Sequence, residues 1–121
     1  MILADSSVWI DYLADGDAGF EDLLSNNRIL CHPYVIGEVS LGSLGRQRKP
    51  IMNDIYRLPM LMPARHSEVM TLIDNKRIYS RGIGYVDMCL LAAVTLRPGT
   101  TLVTRDKRLR SVASELGVSA G

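Results

Sequence analysis

The sequence predicts an α/β fold, in which a short parallel β-sheet of about five strands is covered by helices on both faces. Short apolar, strand-like segments alternate with amphipathic helical segments along the whole chain. One helical segment, residues 85–94, is apolar on nearly every side and is therefore expected in the centre. No linker, repeat or low-complexity stretch divides the 121 residues, so we expect a single domain over residues 1–121.

Five segments are the expected strands. Residues 2–5 and 28–31 are short and apolar, and residues 100–104 are rich in β-branched side chains. Residues 60–62 lie between two prolines, and Val118 is expected to mark a final edge strand. Helical patterns separate these segments, which favours parallel pairing through crossover connections.

The connecting helices have their own signals. Ser6 or Ser7 is expected to cap a helix that ends near Leu13, and Pro33 to start one that runs to about Leu44. The central helix is expected to begin after Gly84 and to end before Pro98. The other helices show apolar residues at helical spacing: Phe20, Leu23 and Leu24; Ile51, Ile55 and Leu58; Val69, Leu72 and Ile73; and Leu109, Val112, Ala113 and Leu116.

The composition indicates a globular protein with a true core, since 47% of the residues are hydrophobic and 22% are charged. No apolar run reaches the roughly 18 residues that a membrane span needs. No basic segment precedes the first apolar run, so we expect no signal peptide. Cys31 and Cys89 are expected to be buried thiols and not a disulfide, which fits a cytoplasmic location.

The charge is unevenly distributed, although the net charge is only +1. Residues 1–27 contain six acids and no Lys or Arg, whereas residues 28–121 carry a balance of +7. Basic clusters of this kind can contact nucleic-acid phosphates, although they can equally be solvated helix faces. The candidate phosphate contacts are Arg46, Arg48, Lys49, Arg81, Arg105 and Arg108.

Four acids stand out because each adjoins apolar sequence: Asp5, Glu38, Asp87 and Asp106. An unpaired carboxylate costs several kcal/mol to bury, so each must be paired, protonated or bound to a metal. Asp5 and Asp106 come just after predicted strands, where ligand crevices of parallel sheets lie. If the four converge, their repulsion calls for a cation, and ligation by oxygen alone favours Mg²⁺ or Mn²⁺. On the same reasoning, Asp5→Asn should relieve repulsion and raise the thermal stability of the metal-free protein.

Each acid also has an ordinary structural explanation. Asp5 and Asp106 can be helix N-caps, a position that Asp often occupies. Asp87 lies near a helix start, where the helix dipole favours negative charge, and Glu38 can pair with an arginine. The joint pattern is harder to explain in this way, because the four acids occupy equivalent places in successive βα units.

Four motifs, in order and spread over the whole chain, resemble the VapC toxin branch of the PIN-domain nucleases. They are the opening Met1-Ile2-Leu3-Ala4-Asp5-Ser6-Ser7, the segment Gly37-Glu38-Val39, the segment Gly84-Tyr85-Val86-Asp87-Met88-Cys89, and the segment Thr104-Arg105-Asp106-Lys107-Arg108-Leu109. The resemblance implies a Mg²⁺- or Mn²⁺-dependent endoribonuclease that cleaves structured RNA, either tRNA or rRNA, and so inhibits translation. It further implies a VapB-type antitoxin as partner and a homodimer.

The resemblance also implies roles for the acids. Asp5 and Asp87 would be direct metal ligands, and Asp106 a ligand or a group acting through water. Glu38 would hold a second metal or orient the attacking water. Ser6 and Thr104 lie beside the acids in sequence, so their hydroxyls are candidates to hold a carboxylate or a water. The alternative roles are helix capping for Ser6 and strand packing for Thr104.

Three other classes compete with this interpretation. A receiver-type signalling domain has a similar sheet and strand-end aspartates, but it needs adjacent acids after the first strand, where this chain has Ser6 and Ser7. A non-catalytic PIN-like module that binds RNA or protein would not need all four acids. A small-molecule phosphatase is disfavoured by the basic clusters and by the lack of a capping domain.

Overall fold

The computed structural model describes residues 1–121 and has the predicted α/β architecture, with seven α-helices and a parallel sheet. The strands are β1 (Ile2–Ala4), β2 (Ile29–Leu30) and β3 (Thr101–Val103). The helices are α1 (Ser6–Asp15), α2 (Ala18–Ser25), α3 (Pro33–Ser40), α4 (Arg48–Tyr56), α5 (His66–Lys76), α6 (Tyr85–Thr95) and α7 (Lys107–Glu115), and a 3₁₀ turn (Gly45–Gln47) precedes α4.

The strand order places β1 in the centre of the sheet, between β2 and β3. Both pairings are parallel, and Ile2 lies opposite Ile29 on one side and Thr101 on the other. The chain therefore extends the sheet first to one side of β1 and then to the other. Parallel sheets open their ligand crevice where the strand order reverses in this way, at the carboxyl ends of the strands.

The expected number of about five strands is wrong, because the sheet has three. The two missing strands are present only as single bridges, Met60 to Cys31 beyond β2 and Ser119 to Leu102 in β3. Two hydrogen bonds hold each of these segments to its neighbour. The first segment lies between two prolines, which have no N–H to donate to a ladder.

Both faces of the sheet are covered. Successive side chains of a strand point to opposite faces, and the neighbours Leu3 and Ala4 in β1 are both 0% exposed. Ile29 and Leu30 in β2 are buried in the same way. Helix α6 is the central helix that the sequence predicts, since every residue over 88–94 is buried.

One helix boundary differs from the expectation. Helix α3 ends at Ser40 and not near Leu44, because the Ser40 hydroxyl donates to the Gly37 carbonyl oxygen (2.6 Å) and Gly42 follows. Helix α4 begins at Arg48, so Arg48 and Lys49 lie inside it. None of the helices combines the length and the apolar character that crossing a membrane requires.

Candidate active site

Asp5 and Asp106 lie at the crevice edge of the sheet, directly after β1 and shortly after β3. Each is the N-cap of the helix that follows. An oxygen of Asp5 accepts a hydrogen bond from the Val8 N–H (3.3 Å), and an oxygen of Asp106 accepts one from the Leu109 N–H (2.9 Å). The capping explanation is therefore correct for both residues. Capping also fixes both carboxylates at the same edge, and a carboxylate has further lone pairs for other partners.

Two hydroxyl groups hold the Asp5 carboxylate, which is only 5% exposed. The Ser7 hydroxyl donates to one of its oxygens (2.5 Å) and the Thr104 hydroxyl donates to the other. These hydroxyls also accept hydrogen bonds from the loop after β3. The Arg105 N–H donates to Ser7 Oγ and the Asp106 N–H donates to Thr104 Oγ1, both at 3.0 Å. The end of β1 is thus joined to the loop after β3, and the orientation of Asp5 is fixed.

The hydroxyl beside Asp5 belongs to Ser7 and not to Ser6, the residue that the sequence favoured. Asp5 is the N-cap, so Ser6 is the first helical residue and Ser7 the second. The side chain of the second position turns back to the cap, as its hydrogen bond to Asp5 shows. Thr104 does contact an acid as expected, and it is 3% exposed.

Asp87 and Glu38 face the same edge from two helices. Asp87 lies in the first turn of α6, and Glu38 lies on the exposed side of α3. The pKa of Asp87 is raised from 3.8 to about 6, first because its carboxyl group is partly buried. The negative charges of the other three acids, led by that of Asp5, raise this pKa further. The structure therefore places Asp5, Asp106 and Glu38 within electrostatic range of Asp87.

No cationic side chain neutralises this cluster. The ion pairs of the chain join Arg57 to Asp54, Arg65 to Glu68, Arg81 to Glu115, and Arg105 to both Asp11 and Asp17. None of them includes one of the four clustered acids, so the pairing of Glu38 with an arginine is not observed. The repulsion that raises the pKa of Asp87 is therefore left for something outside the chain to balance.

The donor set fits a hard divalent cation bound largely through water. All four side chains offer carboxylate oxygens, which Mg²⁺ and Mn²⁺ prefer. No three carboxylate, imidazole or thiol side chains are arranged to coordinate one ion directly. Mg²⁺ tolerates such a site, because it usually keeps several waters and takes only one or two protein carboxylates.

The candidate RNA contacts fall into two groups. Arg81 donates to both oxygens of Glu115 (2.8 and 2.9 Å), and Arg105 is held between two acids, so these two cations are already paired within the chain. Arg108 has no carboxylate within ion-pair distance, and its guanidinium lies against Gly82 in the loop before α6. Arg46 and Lys49 also lack an acidic partner, and Arg48 donates to the Ser40 carbonyl oxygen (2.5 Å).

The histidines and cysteines contribute little to the cluster. His32 is fully buried, where it caps α3 by accepting from the Tyr34 N–H (3.0 Å), and burial lowers its pKa to about 4. His66 is hydrogen-bonded to the Tyr85 hydroxyl. Cys31 and Cys89 are buried free thiols, as the sequence predicts.

The parallel sheet and its carboxylate edge are those of a PIN domain. The PIN domain family matches residues 2–115, and the chain belongs to this family. The chain is also 42% identical over 119 residues to the ribonuclease VapC32 of Mycobacterium tuberculosis, in strains CDC 1551 / Oshkosh and ATCC 25618 / H37Rv. That match covers 98% of this chain and 95% of the relative. The resemblance to the VapC branch of the PIN nucleases is thereby confirmed, and a receiver-type domain is excluded.

A solved structure shows the same fold at a greater distance. The crystal structure of PAE2754 from Pyrobaculum aerophilum superposes with a TM-score of 0.61 and covers 96% of this chain and 94% of that one. The two sequences are only 18% identical, so this likeness concerns the fold alone.

Proposed function

We propose that this protein is a VapC-type toxin, a metal-dependent endoribonuclease that cleaves structured RNA, either tRNA or rRNA, and so inhibits translation. One observation carries the proposal: the negative charges of Asp5, Asp106 and Glu38 all act on the carboxyl group of Asp87, and no cationic side chain pairs with any of the four. The match to a relative named as a ribonuclease supports the same activity. The proposal treats residues 1–121 as one PIN-like nuclease domain.

Mg²⁺ or Mn²⁺ is the proposed cofactor, held by Asp5 and Asp87 directly and by Asp106 directly or through water. When bound, such a cation supplies two effects, activation of a water near neutral pH and neutralisation of the phosphate charge. Asp5 is suited to its role because the hydroxyls of Ser7 and Thr104 fix its orientation. Such supporting hydrogen bonds typically change metal affinity or activity by about 10- to 100-fold.

The remaining groups orient the reactants. Glu38 is exposed and has no ion pair, so it is free to accept a hydrogen bond from the attacking water or to hold a second cation. In-line attack by water breaks the bond between phosphorus and the 3′-oxygen, which leaves a 5′-phosphate and a 3′-hydroxyl. The RNA 2′-hydroxyl is not needed as nucleophile. His32 and His66 do not form a catalytic acid–base pair, because one is buried and the other is bound to Tyr85.

The biological setting follows from the VapC relationship. We propose a VapB-type antitoxin as the neutralising partner, a homodimer as the assembly, and the cytoplasm as the location. The two buried free thiols are consistent with a reducing compartment. Arg108, Arg46 and Lys49, which have no acidic partner, are the proposed phosphate contacts, ahead of Arg81 and Arg105.

A non-catalytic PIN-like module that binds RNA or protein is the second candidate. It is favoured by the finding that no three side chains are arranged to coordinate one ion directly. Cleavage by the purified protein separates the two candidates.

The test is cleavage of total cellular RNA by partner-free protein in Mg²⁺, Mn²⁺ or EDTA, followed by mapping of the fragment ends. The informative variant is Asp87→Asn, which keeps the side-chain shape, and Asp22→Asn on the exposed side of α2 is its matched control. We expect discrete cuts with 5′-phosphate ends in wild type and control, and none in EDTA or in Asp87→Asn. Equal cleavage by Asp87→Asn, or none by wild type, would contradict the nuclease assignment.

A further inference from the structure

Two half-exposed tyrosines flank the carboxylate cluster and have no role in the proposed chemistry. Tyr34 is 46% exposed and Tyr85 is 45% exposed. Tyr34 precedes Glu38 by four residues in α3, so the two side chains share one helix face. Tyr85 begins α6, two residues before Asp87. The tyrosines are therefore carried by the two helices that supply Glu38 and Asp87.

Neighbouring imidazoles hold each ring in place. The His32 and Tyr34 ring centroids are 5.1 Å apart at 64°, and His32 itself is fully buried. The His66 and Tyr85 centroids are 5.5 Å apart at 45°, and His66 Nδ1 lies 2.5 Å from the Tyr85 hydroxyl oxygen. A ring that is already ordered loses little conformational entropy when a ligand binds to it.

We propose that Tyr34 and Tyr85 form an aromatic platform on which unpaired bases of the RNA next to the cleaved phosphate stack. This inference rests on the proposed function, because it assigns the RNA contact of the same site. Proteins recognise single-stranded RNA largely through bases splayed onto aromatic rings, and stacking tolerates any sequence because every base has a flat face. The platform thus contributes affinity and register at the carboxylates, not base specificity.

The surroundings favour a nucleobase over an apolar peptide as the occupant. The apolar grooves of the surface lie elsewhere, beside α1 and α4, where they are lined by residues such as Leu13, Ile51 and Leu58. The two tyrosines instead offer exposed rings with hydroxyl groups, and each lies on the helix that carries one of the acids proposed to act on phosphate.

The experiment measures binding of a short, fluorescein-labelled single-stranded oligouridylate by anisotropy, at low and high salt in Mg²⁺. Tyr34 and Tyr85 are each replaced by Ala, Leu and Phe. Tyr56→Ala is the matched control, because Tyr56 is 66% exposed on α4, a helix that carries none of the four acids. Thermal melting of each variant checks the fold.

We expect each Ala variant to bind about tenfold more weakly, which corresponds to ~1.4 kcal/mol and lies within the range for stacking on one aromatic ring. Phe should restore affinity, since it keeps the ring, and Leu should not, since it keeps only apolar bulk. The slope of affinity against salt should stay unchanged, because stacking releases no counterions, whereas a lost phosphate contact reduces that slope.

Three outcomes would overturn the platform: no binding of the oligouridylate by wild type, unchanged binding in the Ala variants, or equal rescue by Leu and Phe. If an Ala variant unfolds, the comparison of the Leu and Phe variants still tests the platform, because both retain bulk at the site and only Phe keeps the ring. Ring-dependent binding without any RNA cleavage by wild type would support the platform and sink the proposed nuclease. Cleavage with ring-independent binding would do the reverse.

Discussion

Replacing Asp87 by Asn should stabilise the protein in the absence of divalent cations. The raised pKa of Asp87, about 6 against an ordinary 3.8, means that the fold disfavours its ionised form. Burial is the main cause, and the charges of the other three acids add to it. Asparagine has nearly the same shape and no charge, so the substitution removes the electrostatic cost and leaves the packing of α6 unchanged.

The size of the effect follows from the pKa. A shift of about two units corresponds to ~3 kcal/mol, at about 1.36 kcal/mol per unit. Asp87 is only partly buried, so solvent screens the charge, and we take about half of that figure, ~1–2 kcal/mol at neutral pH. For a domain of this size the gain corresponds to a rise in Tm of roughly 3–8 °C.

The pH dependence gives the sign of the effect. A carboxyl group whose pKa is higher in the folded state binds its proton earlier there, so wild type gains stability as the pH falls from about 6 to about 4. Asparagine does not titrate, and the variant has no such gain. The advantage of Asp87→Asn should therefore be complete at neutral pH and disappear below about pH 4.

His32 also changes the stability of the protein in this pH range, so the variant must be compared with wild type at each pH. Burial lowers the pKa of His32 from 6.5 to about 4, so its contribution to stability is complete above pH 6.5 and is lost as the pH falls from 6.5 to about 4. His32 and Asp87 thus act in the same pH window with opposite signs. The difference between variant and wild type cancels the histidine and isolates the carboxyl group.

The assay is urea unfolding of wild type and Asp87→Asn in EDTA, from acidic to neutral pH, with Asp22→Asn as control. The control should change stability by less than about 0.5 kcal/mol at every pH, as an exposed substitution does. The reasoning is wrong if Asp87→Asn is no more stable than wild type at neutral pH, or if its advantage persists unchanged at acidic pH.

Three further outcomes are expected. Thr104→Val should lower stability by about 1.5–3 kcal/mol in urea unfolding, because a buried hydrogen bond to a carboxylate is lost, and Thr104→Ser should recover most of it. Gly82→Ala and Gly99→Ala should each lower the free energy of unfolding by ~1 kcal/mol, since both glycines have φ near +80°. Only Gly82→Ala should also weaken RNA binding, because its Cβ would lie 2.5 Å from Arg108 Nη1 and displace that guanidinium. Mg²⁺ or Mn²⁺ should raise the Tm of wild type, and at a hundredfold excess over Kd the stabilisation should be ~2.7 kcal/mol. A rise of equal size in Asp87→Asn would show that Asp87 is not a ligand of the ion.

Much of the fold, and the helix that each of the four acids caps or lies in, could be predicted from the sequence, because both depend on simple periodic patterns. Alternating strand and helix segments indicate a parallel sheet, and the apolar surroundings of Asp87 correctly placed it on the central helix. The number of strands could not be predicted, because residues 60–62 and Val118 have strand-like side chains but lack the hydrogen-bonding partners for more than one bridge each.

Most side-chain contacts of the site could not be predicted from the sequence, because they join distant segments; the exception is the contact of the Thr104 hydroxyl with an acid. Asp5→Asn was expected to stabilise the protein by relieving repulsion. The structure reverses this expectation, since the hydroxyls of Ser7 and Thr104 and the Val8 N–H all donate to the Asp5 carboxylate, and an amide has only one oxygen to accept them. Tyr34 and Tyr85 were missed as well, because their spacing fits ordinary helix surfaces.

The hydrogen bond from Thr104 to Asp5 spans 99 residues of chain, and that from the Arg105 N–H to Ser7 spans 98. The Asp5 carboxylate therefore receives its final orientation only after a segment about 100 residues further along the chain has been synthesised and β3 has docked. On the proposed function, a growing chain is harmless to the ribosome that makes it, and a prematurely terminated product is harmless to the cell. The order of translation itself delays the onset of toxicity.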